Sequence, residues 1–357
     1  MYEIKIYENF NNELVSYWSE FEKNINVPFF QNLNWLRNYY DSFIINKKNI
    51  SLKIGVIFKN EEVIMIIPMQ KIYKYKVMFL EWFGNEVVDF MYPIVSSNFL
   101  VNLQDFKYIW SLFLKKVGKY DFIYLKKQPE FINIIDNPFV FFLKRTYKNS
   151  FFTIVNKNQG WDEYYSLIFS SKQKYNIENS IKKIINLGEF KFVQCNTDNE
   201  KIETIKTIIK YKKELEHQKK KNNTINFEEL ENFYLNLLIL EKKNLINYRL
   251  HICVLKLNNN IIAGSISIIN KNDYYYLIPS YINLNKLSKY SLGTILLKNI
   301  IKWCFENKIS IFNFGDGAEF YKKKWSNKIN YTYNYIEYNS IKGLIFYFLL
   351  KTKNFFR

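Results

Sequence analysis

The stretch from Leu292 to Trp325, LGTILLKNIIKWCFENKISIFNFGDGAEFYKKKW, places the tightest limits on what this chain can fold into. Ile295, Leu296, Ile300, Ile301, Trp303, Cys304 and Phe305 recur at helical spacing and give one broad apolar face. Gly293 stands at the mouth of that helix with Leu292 and Thr294 beside it. Free backbone N–H groups and the helix dipole at such a mouth suit a phosphate, and a glycine lets one approach closely. Ile309, Ile311, Phe312 and Phe314 then read as a short strand that ends in Gly315-Asp316-Gly317. A helix entered through a glycine and followed at once by a buried strand is an α/β unit with a ligand site at one end.

The remaining chain, within a total of 357 residues, is long enough for two domains with cores of their own. Residues 1–150 read as strand, two helices, the hairpin Leu52–Phe58 and Val63–Met69, a strand Val77–Phe83, a helix near Phe106–Val117 and a strand at Phe122. Pro68 fits a strand end or edge. The proline- and asparagine-bearing stretch 127–150 marks a boundary. Residues 151–340 repeat the order: strands and helices, a meander over Arg249–Leu257, Ile261–Asn270 and Tyr274–Tyr281, then the helix and strand already described. Residues 341–357 form a basic amphipathic tail. The duplication rests on element order, not on sequence identity.

A net charge of +18 invites a nucleic-acid or anionic-membrane partner. Only Arg37, Arg145, Arg249 and Arg357 are arginines, however, and arginine is the usual residue for bidentate phosphate recognition. The run Lys219–Asn223 reads as a solvated loop. Cys195, Cys253 and Cys304 are far apart and show no metal-ligand spacing, and His217 and His251 are too few for a zinc site or a Ser/His triad, so no metal is expected. No apolar run approaches the length of a spanning helix, and Met1–Lys5 lacks the apolar stretch of a signal peptide. A reducing, cytoplasmic compartment is the expectation.

Phe312-Asn313-Phe314-Gly315-Asp316-Gly317-Ala318-Glu319-Phe320-Tyr321-Lys322-Lys323-Lys324-Trp325 resembles the FDFG-x-G-x-E-x-YK-x-x-W pattern of the CelD-like acyltransferases of the GNAT superfamily, which serve polysaccharide biosynthesis. Pro28-Phe29-Phe30-Gln31 with Trp35-Leu36, Phe83-Gly84 to Asp89, Lys172 with Lys182-Lys183, and Ile262-Ala263-Gly264 match other segments of that family in order. Together they cover nearly the whole chain. The resemblance implies an α/β fold with mixed sheets, two tandem GNAT-like domains, and transfer of an acyl group, acetyl above all, from acyl-CoA to an amine of an envelope or polysaccharide precursor such as an amino sugar. It also implies kinship with Fem-type transferases, which use aminoacyl-tRNA on peptidoglycan precursors, so a tRNA donor is the alternative. A non-catalytic binding protein on the same scaffold is a third reading. Two departures stand out. Asn313 replaces the first aspartate of FDFG, and the pyrophosphate loop Q/R-x-x-G-x-G/A falls on Ser288–Gly293, where only the last glycine remains.

Acyl transfer to an amine needs a base, a stabilised carbonyl oxygen and two reactants held together. Glu319 and Asp316 are the base candidates, and Asp316 has the alternative task of shaping its turn. Tyr321 could protonate the departing thiolate or pack under the sheet. Leu292, Gly293, Thr294 and Lys322 are the candidates for holding the cosubstrate, and Lys172 for holding an anionic group of the substrate. Exposed lysine is the alternative for both Lys322 and Lys172. Asp89 and Trp35 enter as substrate-binding residues through the family match alone. The tail from Ile341 onward could lie on the inner face of a membrane as a peripheral contact, or dock as a terminal helix on its own domain.

Overall fold

Alternating or continuously apolar runs between polar turns become strands in the computed structural model, and they assemble in two units. The first comprises Met1–Ser150 with Tyr331–Arg357, the second Phe151–Asn330. The described residues are 2–25, 27–96, 102–132, 135–218, 226–283, 287 and 289–355. The run Lys219–Asn223, Ser288 of the loop before Gly293, and Arg357 lie outside them.

The first unit runs β1 (Tyr2–Tyr7), α1 (Asn12–Asn24), α2 (Leu33–Tyr39), β2 (Ile50–Lys59), β3 (Glu62–Lys74), β4 (Val77–Trp82), β5 (Ile94–Val95), α3 (Leu103–Val117) and β6 (Phe122–Pro129). The short β7 (Phe131–Ile132), β8 (Ile135–Asp136) and α4 (Pro138–Phe141) follow. Strands β1 to β4 form an antiparallel meander, and β4 then pairs in parallel with β6. The second unit runs β9 (Arg145–Val155), α5 (Trp161–Ile168), α6 (Ser171–Ile185), β10 (Phe190–Gln194), α7 (Asp198–Gln218), α8 (Phe227–Lys242), β11 (Arg249–Leu257), β12 (Asn260–Asn270), β13 (Asp273–Tyr281), α9 (Leu292–Glu306), β14 (Ile311–Asn313) and α10 (Phe320–Trp325). Its sheet repeats the pattern: β10 to β13 antiparallel, β13 parallel with β14, and β14 closed by residues 153–155 of β9. Finally β15 (Lys328–Tyr338) returns to pair antiparallel with β6, and α11 (Ile341–Phe355) ends the first unit. The first unit thus takes its closing strand from beyond the second, and the second takes its own from its opening residues. The fold class is mixed α/β in two like-built units.

Helix ends follow their caps. Asn11, Asn102 and Asn226 accept backbone N–H bonds at the starts of α1, α3 and α8, and Ser170 with Gln173 forms a full capping box on α6. Local rules explain less about β3. Pro68 lies inside this 13-residue strand, not at its end. It sits where β4 has stopped, after the Met69↔Trp82 pair, and before β5 takes over at Ile66↔Ile94. A missing N–H is tolerated at such a break.

The core of the first unit gathers Trp18, Trp35, Trp82, Phe79 and Phe83, all essentially buried. One carboxylate is drawn into it. Glu22 accepts the Leu33 N–H at 2.6 Å and the Asn32 side-chain amide at 3.0 Å. Burial pushes its carboxyl up to about 7, against the pull of the Leu33 N–H and the Trp18 indole. A carboxyl raised in the fold contributes stability that is complete below its ordinary value and is lost as pH rises through the folded value. Stability should thus fall between about pH 4.5 and 7. Glu22→Gln should remove that fall and gain about 3 kcal/mol at pH 8 over its effect at pH 4.5, read from urea unfolding at the two pH values.

Candidate active site

Strands β13 and β14 run side by side for three pairs only: Asp273↔Ile311, Tyr274↔Phe312 and Tyr275↔Asn313. β13 then continues to Tyr281 while β14 stops. The other edge of β13 is irregular too. Ser267 pairs with Tyr276 but Ile266 pairs with Ile278, which leaves Leu277 as an extra residue. A bulge of this kind bends its strand and adds twist, and past Tyr275 the edge of β13 left unpaired by β14 opens a gap beside the end of that strand. Aromatic rings close the narrow end: Tyr274 stacks on Phe312 at 5.0 Å, and Phe312 meets Phe314 at 4.8 Å. Burial pushes the hydroxyls of Tyr274 and Tyr276 well above the usual phenol range, so both stay protonated.

At the wide end, β13 hands over to α9. Ser291 precedes the helix in the left-handed region and its side chain makes no capping bond. The Thr294 and Ile295 N–H groups bond to the Ser291 carbonyl at 2.9 and 3.2 Å. The N–H groups of Leu292 and Gly293, the first two of the helix, have no acceptor within it. A Cβ built on Gly293 would touch only the Tyr281 ring, at 3.5 Å, an ordinary contact. The helix mouth thus adjoins the last residue of β13.

The turn after β14 is held by side chains. Asn313 accepts the Gly315 N–H at 2.8 Å, so the asparagine that departs from the family pattern makes an Asx turn, as an aspartate there would. Gly315 and Gly317 have φ of 72° and 105°, and a Cβ on Gly317 would stand 2.6 Å from the Glu319 carboxylate. The two glycines let the chain double back beneath that carboxylate. Lys322, on α10, points inward with only 6% of its side chain exposed. Its ammonium donates to the Asp316 carbonyl and pairs with Glu319 at 2.9 Å, while 57% of the Glu319 side chain is exposed. Lys322 therefore braces the turn and holds Glu319.

Tyr321, the next residue along α10, is partly exposed and meets Phe314 edge-on at 6.4 Å. Its hydroxyl lies near enough to Tyr276 to add to the upward push on that phenol. The helix is anchored by Trp325, which packs edge-on against Phe169 at 4.5 Å and whose carbonyl accepts the Tyr164 hydroxyl. Lys172 is exposed in the first turn of α6, three residues after that Phe169. The structure thus brings together Asp316, Glu319, Tyr321 and Lys322 at the turn, places Leu292, Gly293 and Thr294 at the helix mouth, and leaves Lys172 on the surface.

Asp89 and Trp35 belong to the first unit. Trp35 is fully buried against Phe29 and Phe30. Asp89 lies 3.9 Å from the Lys127 ammonium. Gln31, on the turn before α2, donates to the Phe90 carbonyl at 3.0 Å, so the two family-matched segments do meet. There the segment after β4 is tied to β6. The Met91 N–H bonds to the Lys127 carbonyl at 3.0 Å and the Lys127 ammonium to the Val88 carbonyl at 2.9 Å. Among the described residues, no group of three or more His, Cys, Asp or Glu side chains is placed to hold a metal ion.

Sequence reasoning placed Asn313 in the motif without a role, and overlooked Leu277, Tyr276 and Tyr281 beside this candidate site. The one signal for the bulge was the pattern itself: Tyr274-Tyr275-Tyr276 breaks alternation, and Pro279 follows three residues later.

Residues 171–323, from α6 into α10, match the family model of the acetyltransferase (GNAT) domain. Three solved structures share the fold along the chain. FemX aligns with a TM-score of 0.54 at 12% identity, covering 97% of this chain and 99% of FemX. A conserved protein of unknown function from Bacteroides thetaiotaomicron VPI-5482 aligns at 0.52 and 10% identity, over 93% and 99% of the two chains. A tandem GNAT protein from the clavulanic acid biosynthesis pathway aligns at 0.50 and 7% identity, over 95% and 98%. No curated protein matches the sequence. The architecture is two tandem GNAT-fold units, the second of which carries a GNAT acetyltransferase domain. The match makes residues 171–323 of the second unit an acyltransferase domain of that type.

Proposed function

We propose that the second unit transfers an acyl group, acetyl in the simplest case, from acyl-CoA to the primary amine of an envelope or polysaccharide precursor such as an amino sugar. The observation that carries this reading is the gap between β13 and β14, with the uncapped mouth of α9 at its wide end. A pantetheine arm fits along the unpaired edge of β13, and its pyrophosphate takes the Leu292 and Gly293 N–H groups. Thr294 lies one residue further along the same helix mouth. The amine nitrogen attacks the thioester carbon, the C–N bond forms and the C–S bond breaks. Backbone N–H groups of β13 near Leu277 face the carbonyl oxygen as its charge develops. Glu319 takes the proton the amine loses, and Tyr321 gives one to the departing thiolate. Asp316 and Lys322 shape and brace the turn that presents Glu319. Lys172 is assigned to the acceptor.

A Cβ at Gly293 makes only ordinary contacts with the Tyr281 ring, and Gly293→Trp, with its thermal midpoint as the check on folding, tests the helix mouth. Wild-type protein should gain thermal stability from coenzyme A, and the variant should unfold at an unchanged temperature but need about 100-fold more coenzyme A for the same shift. A variant that responds like wild type would remove the cosubstrate from this site. The net charge of +18 favours one alternative donor, aminoacyl-tRNA. A shift with charged tRNA and none with coenzyme A would establish that reading in place of the first.

A further inference from the structure

The helix α11 has two apolar faces, and only one is used. Phe346 packs edge-on against Phe79 at 4.9 Å and Phe122 at 5.3 Å, with Tyr347 and Leu350 on the same cluster. Gly343 lets the helix in close, since a Cβ there would stand 2.0 Å from the Asp121 carbonyl oxygen. The opposite face carries Ile341, Ile345, Phe348 and Leu349, spaced i, i+4, i+7 and i+8. They are 78%, 56%, 57% and 56% exposed. At about 100° per residue these four form one stripe, with exposed Lys342 along one margin and exposed Lys351 along the other.

Charge says what covers the stripe. From Tyr338 to the last residue the chain carries Lys342, Lys351, Lys353 and Arg357 and no aspartate or glutamate. A second copy of the helix would bring two acid-free cationic segments face to face, which is repulsive. A surface that is anionic above and apolar beneath satisfies both features at once. The neighbouring β3–β4 hairpin adds the same two residue types. Exposed Tyr75 stacks on Phe346 at 6.2 Å, and exposed Lys76 follows it. Aromatic rings and lysines at one level are typical of groups that sit in the headgroup layer. No described helix is long and apolar enough to cross a membrane, so the helix would lie flat.

We propose that α11, with the tip of the β3–β4 hairpin, docks this protein on an anionic lipid surface. Ile341, Ile345, Phe348 and Leu349 enter the boundary between headgroups and acyl chains, and the lysines at its margins meet lipid phosphates. The proposal stands on the first unit alone and does not depend on the transferase reading.

Co-sedimentation of the full chain with vesicles of phosphatidylcholine, alone or mixed with phosphatidylglycerol, tests it. Binding should be at least about tenfold tighter to the anionic vesicles and should weaken as salt rises. Phe348→Ser combined with Leu349→Ser should weaken it about tenfold or more, with the thermal midpoint unchanged because both side chains are exposed. Lys342→Gln with Lys351→Gln should reduce the preference for phosphatidylglycerol. Absence of vesicle binding, equal binding to both vesicles, or indifference to the serine pair would each overturn the proposal. So would a dimer in sedimentation velocity that the serine pair abolishes while vesicles are ignored, which would assign the stripe to a second copy.

Discussion

Glu319→Gln is expected to lower kcat/KM by about 100-fold or more and, separately, to destabilise the second unit by about 1–2 kcal/mol. The two losses have different origins. The first is the loss of the group proposed to accept the amine proton. The second arises at Lys322, whose buried ammonium would lose its counter-charge and keep neutral acceptors, the Asp316 carbonyl and the new amide oxygen. The stability figure is kept small because Glu319 is itself more than half exposed, so solvent already screens the pair. Adding Lys322→Met removes the stranded charge and should restore most of the stability. It should not restore turnover. Steady-state kinetics and urea unfolding on the two single variants and the double variant separate these effects. Recovery of kcat in the double variant would mean that Glu319 serves only as the counter-charge of Lys322.

The second large effect is an acid limb from His251. The imidazole lies in the core of the second unit, stacked on Trp303 at 4.1 Å. Nδ1 is 3.1 Å from the Tyr274 hydroxyl and Nε2 is 3.2 Å from the Gln194 side-chain oxygen. Burial, helped by the Arg249 and Lys201 charges, pushes its pKa down to about 3. The folded value lies below the ordinary one of 6.5. The neutral ring therefore contributes stability that is complete above pH 6.5 and is lost as pH falls toward 3. By pH 4 the loss should reach roughly 3 kcal/mol. His251→Gln keeps polar groups between Tyr274 and Gln194 and has no proton to take up. Its stability should be lower than wild type at pH 7.5 and nearly equal to it at pH 4, as measured by urea unfolding at both. A constant difference between the two proteins would show that the fold leaves the His251 pKa unshifted, and a difference that grows toward acid would show that the ring is charged in the fold. This slope is opposite in sign to that expected from Glu22 in the first unit, so each variant should leave the other's pH dependence in place.

Local periodicity makes much of the second unit legible from its residues alone. Arg249–Leu257 is a strand over the residues its apolar pattern marks, and Leu292–Glu306 is a helix whose buried residues include Ile295, Leu296, Ile300, Ile301 and Cys304. The expected strand from Ile309 to Phe314 shrinks to Ile311–Asn313, because the Asn313 side chain captures the Gly315 N–H and turns the chain early. The aromatic and lysine cluster after Gly317 proved to be the short helix α10. Its formation depends on Trp325 finding Phe169 and Tyr164, more than 150 residues away in the chain. No local pattern records such a contact.

The sequence by itself determined where backbone must be permissive or periodic: the glycines at 315 and 317, the apolar face of α9, and the repeated order of strands and helices. Those are properties of residues and their near neighbours. Tertiary structure alone decided the rest. The bulge at Leu277 exists only relative to the register of β12, and the gap that defines the site only relative to the end of β14, so neither could be read from β13 alone. Lys322 is one of three consecutive lysines, and only the packing of α10 selects it for burial while Lys323 stays in solvent. The environment of His251 is assembled from β10, β13 and α9, and the closing strand of each unit comes from a distant part of the chain. Register, burial and charge environment are relations between segments, and they come into being only when those segments meet.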